Sequence, residues 1–447
     1  MKFIYRNDND KGNNNILLEN IFSFNNFGNN LVELHLTINP STVESNVVEN
    51  INNMKYLQIL DLYGFNFQNK YTLKLFNLKK LILTFCKNLI LLEETCLNLI
   101  KLEIMYCEIS TLNKLLKFQN LEEIKISDSI NENEHKYNSL IDFKSLNKLK
   151  IFNGEINYFL ELENIILEKV DIHGDNLTKE IEKKMIEKIL TIKSLKEADF
   201  NLDKLDNDEI EKIPGENNSI TKLILNCDYK RCEFTFYNLL YKFPNLTDLF
   251  INSYSFYGDG SLDFEIKENS KSKINRLNLN FKNENNIEIK LFCQSYENLI
   301  SICINNAQNI KNLTNVFPFF NSGNKIIFKS LSSLAIYSTI PHKISFDIFE
   351  NLCNNIDYMP NLKNLFLDCY FADIKKDIYE KFIEKILKSK INSIYLCIEN
   401  DYNKNKLVKY SLDELKRLYP DINKYYFKNI YIMKLCSKNS FMECCII

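Results

Sequence analysis

The chain has 447 residues, with 56 Lys and Arg against 58 Asp and Glu, a net charge of −2, and 13 cysteines. So even a balance excludes bulk electrostatic attraction to nucleic acid or to a membrane surface. A chain of this length ordinarily forms two or three domains, yet no Pro-, Gly- or Ser-rich linker marks a boundary and no apolar run is long enough to span a bilayer.

The opening Met1-Lys2-Phe3-Ile4-Tyr5 runs at once into charged and Asn-rich sequence, without the pattern of a secretory leader. A cytoplasmic location is therefore expected, with the scattered cysteines reduced and packed as small apolar groups. Ile16–Phe24 has helix-like apolar spacing, and residues 1–30 are predicted to be an N-terminal cap.

The repeating pattern is clearest at Leu78-x-x-Leu81-x-Leu83-x-x-Cys86 and Leu99-x-x-Leu102-x-Ile104-x-x-Cys107, two copies 99 − 78 = 21 positions apart. Within each copy a short strand points alternate side chains to opposite faces. Leu81 and Leu83 then face inward, and Lys80, Ile82 and Thr84 outward. One such unit cannot bury its own apolar side, so the pattern has to recur. Starts fall at Leu31, Leu57, Leu78, Leu99, Leu121, Leu146, Leu167, Leu195, Ile220, Leu246, Ile274, Leu299, Leu331, Leu362, Ile391 and Ile422. The Leu195 copy carries Ala198 and Phe200 in its inward slots, and the Ile422 copy carries Tyr425 and Phe427.

This register resembles the leucine-rich repeat superfamily, and the longer later repeats resemble its ribonuclease-inhibitor subclass. The resemblance implies an α/β fold: a curved horseshoe of about sixteen repeats, with a parallel sheet on the concave face and helices and irregular returns on the convex face. One solenoid over residues 31–428 is expected, followed by a C-terminal cap and tail over 429–447. The early repeats, Leu57 to Leu121, leave room only for an extended or 3₁₀ return. Helices are predicted at Asp175–Ile192, Ser345–Tyr358, Asp373–Lys388 and Ser411–Leu418, the last opened by the capping box Ser411-x-x-Glu414. Ser253 to Lys273, with alternating apolar residues around Gly258-Asp259-Gly260, reads either as a hairpin or as a long return.

No Gly-rich phosphate loop and no metal-ligand spacing is present, and His35, His135, His173 and His342 fall in different repeats. No catalytic site, cofactor, metal or small-molecule substrate is expected. The candidate site is the outward row of the strands. In the first half it includes Glu33, His35, Asp61, Tyr63, Lys80, Lys101, Glu103, Glu123 and Lys125, then Lys148, Lys150, Phe152, Lys169, Asp171 and His173. Lys148, Lys150 and Lys169 are followed by Asp171, Glu197 and Asp199, a mixed field that argues against a nucleic-acid groove. The second half offers Phe250, Arg276, Asn278, Asn280, Tyr337, Phe366 and Tyr395. Aromatic and Arg side chains carry binding energy more often than Lys or Glu, and Asn278 and Asn280 offer donors and acceptors to hold orientation, so these seven are the expected contacts for a protein partner. The same aromatics could instead pack side by side across strands.

Two further resemblances bear on function. F-box proteins carry such repeats, which raises a ubiquitin-ligase substrate receptor as the alternative; Ile16–Phe24 resembles the first F-box helix, but three helices do not fit before Leu31. The last four residues, Cys444-Cys445-Ile446-Ile447, fit the Cys-a-a-X form for prenylation apart from the second Cys, so Cys444 is a candidate lipidation site and the expected route to any membrane.

Overall fold

The structure is a computed structural model that describes residues 2–7, 30–43, 45–111, 115–127, 140–163, 166–174, 177–229, 237–256, 261–265, 273–281, 288–292, 301–305, 330–337, 356–368, 393–397 and 429–430, with 385, 389 and 391 besides. It divides into two compact units, Met1–Lys204 and Leu205–Ile447.

The first unit contains strands β1 (Lys2–Asn7), β2 (Glu33–Val43), β3 (Ile59–Leu73), β4 (Lys80–Thr84), β5 (Lys87–Leu91), β6 (Lys101–Met105), β7 (Glu108–Thr111), β8 (Glu123–Ser127), β9 (Ile151–Glu155), β10 (Lys169–His173) and β11 (Glu197–Asn201). The main ladder runs β1-β2-β3-β4-β6-β8-β9-β10-β11, every pairing parallel. One repeat contributes one strand, in constant register: Leu34, Leu60, Leu81, Leu102 and Ile124 are successive partners. All five are essentially fully buried, each worth about 2 kcal/mol relative to exposure. A long parallel sheet built one repeat per strand fits a leucine-rich repeat solenoid.

The short repeats return as strands. The tail of β2 pairs with Phe65–Phe67 of β3, the end of β3 with β5, and β5 with β7, all parallel. Leu73, Leu89 and Leu91 of this second ladder are buried. Buried Cys86 donates its thiol to the Leu62 carbonyl (3.4 Å), while its own N–H reaches the Cys107 sulfur (3.3 Å). Burial pushes the Cys86 thiol up and the Cys96 thiol to about 12, so both pack as neutral, small apolar groups.

Further along, returns become helical. The predicted helix at Asp175–Ile192 is found at Lys179–Thr191, capped by the Thr178 hydroxyl, which accepts from the Ile181 N–H (3.3 Å). It buries Met185, Ile186, Ile189 and Leu190, and with them Glu182. The Glu182 carboxylate accepts from the N–H groups of Asp203 (2.9 Å) and Lys204 (3.0 Å) in the next turn of chain. Lys188 reaches back to the carbonyls of Leu160 and Leu162, capping the C-terminal end of the preceding helix Ile156–Glu161. Desolvation lowers its ammonium to about 8.

The second unit contains β12 (Lys222–Tyr229), β13 (Asp248–Phe256), β14 (Ser261–Glu265), β15 (Arg276–Phe281), β16 (Glu288–Phe292), β17 (Ser301–Asn305), β18 (Ser333–Tyr337), β19 (Asn364–Asp368), β20 (Ser393–Cys397) and β21 (Asn429–Ile430). β12-β13-β15-β17-β18-β19-β20-β21 pair in parallel, with Leu223, Leu249, Leu277, Leu334 and Leu365 buried in the first inward slot. The Lys188 device recurs: Lys242 donates to the carbonyls of Glu211 (3.3 Å) and Ile213, closing the helix Asn207–Glu211.

Several expectations are corrected. The Leu146 repeat is set three residues later: Phe152, expected outward, is fully buried and stands between Ile124 and Val170. The pattern here is Leu149-x-x-Phe152-x-Gly154. A Cβ on Gly154 would lie 3.0 Å from Phe152 Cζ and 3.1 Å from the Ile126 carbonyl oxygen, so the Phe152 ring occupies the space that a third aliphatic residue takes elsewhere. The last described strand falls later than the Ile422 copy implies, because Ile430 rather than Tyr425 is the partner of Ile394. Of the Ser253–Lys273 stretch, Gly258-Asp259-Gly260 lies outside the described residues, and β14 pairs in parallel with β16 as a second return ladder. β1, which no leucine announces, adds Phe3 and Tyr5 beside Leu34 and Leu36. The cap helix Ile16–Phe24 and the helix Ser411–Leu418 lie outside the described residues, as do Asp373–Lys388 apart from Lys385 and Ser345–Tyr358 apart from a 3₁₀ turn at Ile356–Tyr358.

Candidate functional site

Strand register decides which outward residues are neighbours, and the two units differ in what they place there. On the first unit the outward rows are charged and pair with each other. Lys2 meets Glu33 (2.8 Å), Glu33 meets His35 (2.7 Å), and His35 meets Asp61 (2.9 Å). Hydrogen bonds from Lys2 and then His35 hold the Glu33 carboxyl below its usual range. Lys101 bridges Glu103 (2.9 Å) and Glu123; burial pulls its ammonium down, but those two carboxylates outweigh it and the net shift is upward. Lys169 meets Glu197 (2.8 Å), and Asn153 donates to Asp171. Charges spent on one another in this way offer little to a partner.

On the second unit Phe250, Asn278, Cys303, Ala335, Phe366 and Tyr395 form one row across β13, β15, β17, β18, β19 and β20. Five strand steps separate its ends, about 24 Å. The sequence-selected residues Phe250 and Asn278 are direct partners on this row, as are Phe366 and Tyr395. Phe250 is half-buried, with the Lys222 ammonium 5.2 Å from its ring centroid. Arg276 stands one row over, its side chain 62% exposed and 3.3 Å from Asp248. Asn280 continues a file with Asn226, Asn252 and Asn305, in which the Asn252 amide donates to Asn226 (2.9 Å). Tyr337 ends β18 opposite Asp368. Cys444 lies outside the described residues.

Sequence reasoning missed a second feature. After β4 and β6, Phe85 (φ 53°) and Tyr106 (φ 56°) are left-handed, at the position where the preceding repeat has Gly64 (φ 83°). That conformation costs a residue with a Cβ about 1–2 kcal/mol. It interrupts the strand alternation, so Cys86 and Cys107 turn inward and the two rings turn out. Tyr63, Phe85 and Tyr106 are 36%, 40% and 37% exposed. Tyr63 meets Phe85 edge-on with centroids 5.4 Å apart, and Phe85 stacks on Tyr106 at 5.1 Å. An αL residue is usually Gly or Asn, and Phe85 and Tyr106 are neither, so the sequence carries no signal of this turn.

Among the described residues no group of three or more His, Cys, Asp or Glu is placed to hold a metal, and no helix is long and apolar enough to cross a membrane. No family model matches the chain, and no curated protein matches its sequence. Among solved structures it is similar to an internalin (inlF) of Listeria monocytogenes str. 4b F2365, at 12% identity over 82% of each chain with a TM-score of 0.32. That superposition is loose, and the architecture stands on the strand register alone.

Proposed function

We propose that the chain is a non-catalytic protein-interaction scaffold, built of leucine-rich repeats of the ribonuclease-inhibitor kind, whose protein partner lies across the outward face of the second unit. The observation that carries this is the shared row of Phe250, Asn278, Phe366 and Tyr395. Residues scattered over 395 − 250 = 145 positions of sequence fall on one line, with Arg276 and Asn280 beside it. Rings supply the desolvated contact area and amides fix orientation. Outward residues add little to the shared core, so truncating them should spare the fold.

The test is capture of partners from the host lysate followed by affinity measurement. Tyr337→Ala with Phe366→Ala should weaken the captured interaction at least tenfold with little loss of thermal stability, about 1.4 kcal/mol in binding. Lys80→Ala with Lys101→Ala should leave affinity unchanged. An aromatic pair that destabilises the protein and leaves affinity intact would assign those rings to packing.

A further inference from the structure

The strip Tyr63–Phe85–Tyr106 belongs to the first unit and has no part in the row proposed above. Its rings are among the most exposed aromatics of that unit, and two of them are kept in a backbone conformation that glycine adopts without strain. The core does not need them, since Gly64 serves at the same position one repeat earlier. Residues held in such conformations gather at ligand-binding sites, where the surroundings fix them.

Three properties of the strip choose its occupant. It offers no backbone for strand addition, because the Phe85 N–H already donates to the Met105 carbonyl (3.0 Å) and the Tyr106 N–H to the Ser127 carbonyl (3.0 Å). It offers no net charge, because the adjoining Lys87 and Glu108 pair with each other at 3.1 Å. It does offer donors: among the described residues neither the Tyr63 nor the Tyr106 hydroxyl has a hydrogen-bond partner. A ligand that matches is uncharged, presents apolar bulk to rings, and has carbonyls but few N–H groups.

We propose that this strip binds a proline-rich segment in the polyproline II conformation. Such a helix has no internal hydrogen bonds, so its carbonyls are open to phenol donors, and its proline rings pack on aromatic surfaces. Its length also fits. One polyproline turn spans three residues of ~3.1 Å, about 9.3 Å, and Tyr106, one residue past the register partner of Tyr63 two strands away, lies about 10 Å from it. Residues one turn apart in a segment running along the stack therefore meet the two tyrosines in succession, with Phe85 under the residues between them.

The experiment titrates labelled decaproline, and a Gly-Ser peptide of equal length, into the full chain by fluorescence anisotropy. Saturable binding of decaproline alone is expected. Phe85→Gly with Tyr106→Gly should weaken it at least tenfold while the thermal midpoint stays the same or rises, since backbone strain is relieved. Tyr63→Phe with Tyr106→Phe keeps the rings and removes the donors, and should weaken binding several-fold with the midpoint unchanged. No saturable binding by the wild-type chain, or equal binding of the Gly-Ser peptide, overturns the proposal. So does unchanged affinity in the Phe pair, whatever the Gly pair does to the fold.

Discussion

Gly154→Ala and Phe152→Leu should each destabilise the first unit, and together should cost less than their sum. The methyl added at Gly154 would sit 3.0 Å from Phe152 Cζ and 3.1 Å from the Ile126 carbonyl oxygen. Both neighbours are buried and one is backbone, so neither gives way freely, and overpacking of this kind costs about 1–3 kcal/mol. Phe152→Leu leaves a void under a ring that is fully enclosed and 5.8 Å from Phe159, worth about 1–2 kcal/mol. In the double variant the shorter side chain vacates the Cζ position, and the new methyl fills part of that void. The pair then approaches the Leu-x-aliphatic pattern of the other repeats, with a favourable coupling of about 1–2 kcal/mol. Guanidinium unfolding of the four proteins of the cycle measures it. Additive losses would mean that Phe152 and Gly154 are not exchanging volume, and the register assigned to this repeat would be wrong.

Glu182→Ala should strip two N–H groups of their acceptor and cost about 2–4 kcal/mol, with loss of hydrogen-exchange protection at the Asp203 and Lys204 amides; unchanged protection there would show the bonds to be dispensable. Because Glu33 is held below its ordinary value of 4.5 by Lys2 and then His35, its contribution to stability is present above pH 4.5 and is lost as pH falls below it. A pH series of thermal melts should therefore slope downward under about 4.5, and Glu33→Gln should flatten that slope. If Cys444 is prenylated in its host, intact mass shows the added lipid and the loss of the last three residues, and Cys444→Ser shifts the protein from the membrane fraction to the supernatant; an intact C-terminal Ile447 in native protein would rule the modification out.

Strand placement was legible because a two-residue alternation with a fixed start leaves one set of inward positions, and the leucines occupy it. The same template erred where volume was redistributed. Leu146-x-x-Leu149-x-Ile151 satisfies it as well as the true register does, and only a ring filling a glycine's space separates the two. β1 escaped notice because Phe3 and Tyr5 do the work of leucines. The strand register of the second unit was legible for the same reason as the core: position five of each repeat pairs with position five of the next. The aromatic strip was not, because its exposure depends on two left-handed residues, and left-handed backbone is read from sequence only where Gly or Asn announces it.

The central claim, that the partner lies across the outward face of the second unit, is tested most directly by proximity. A photo-cross-linking amino acid is placed at Ala335, which stands on the row beside Phe366, and in a separate protein at Ile82, on the outward row of β4. After capture of the partner and irradiation, covalent adduct should form from position 335 and not from position 82. Adduct from position 82 with none from position 335 would contradict the account.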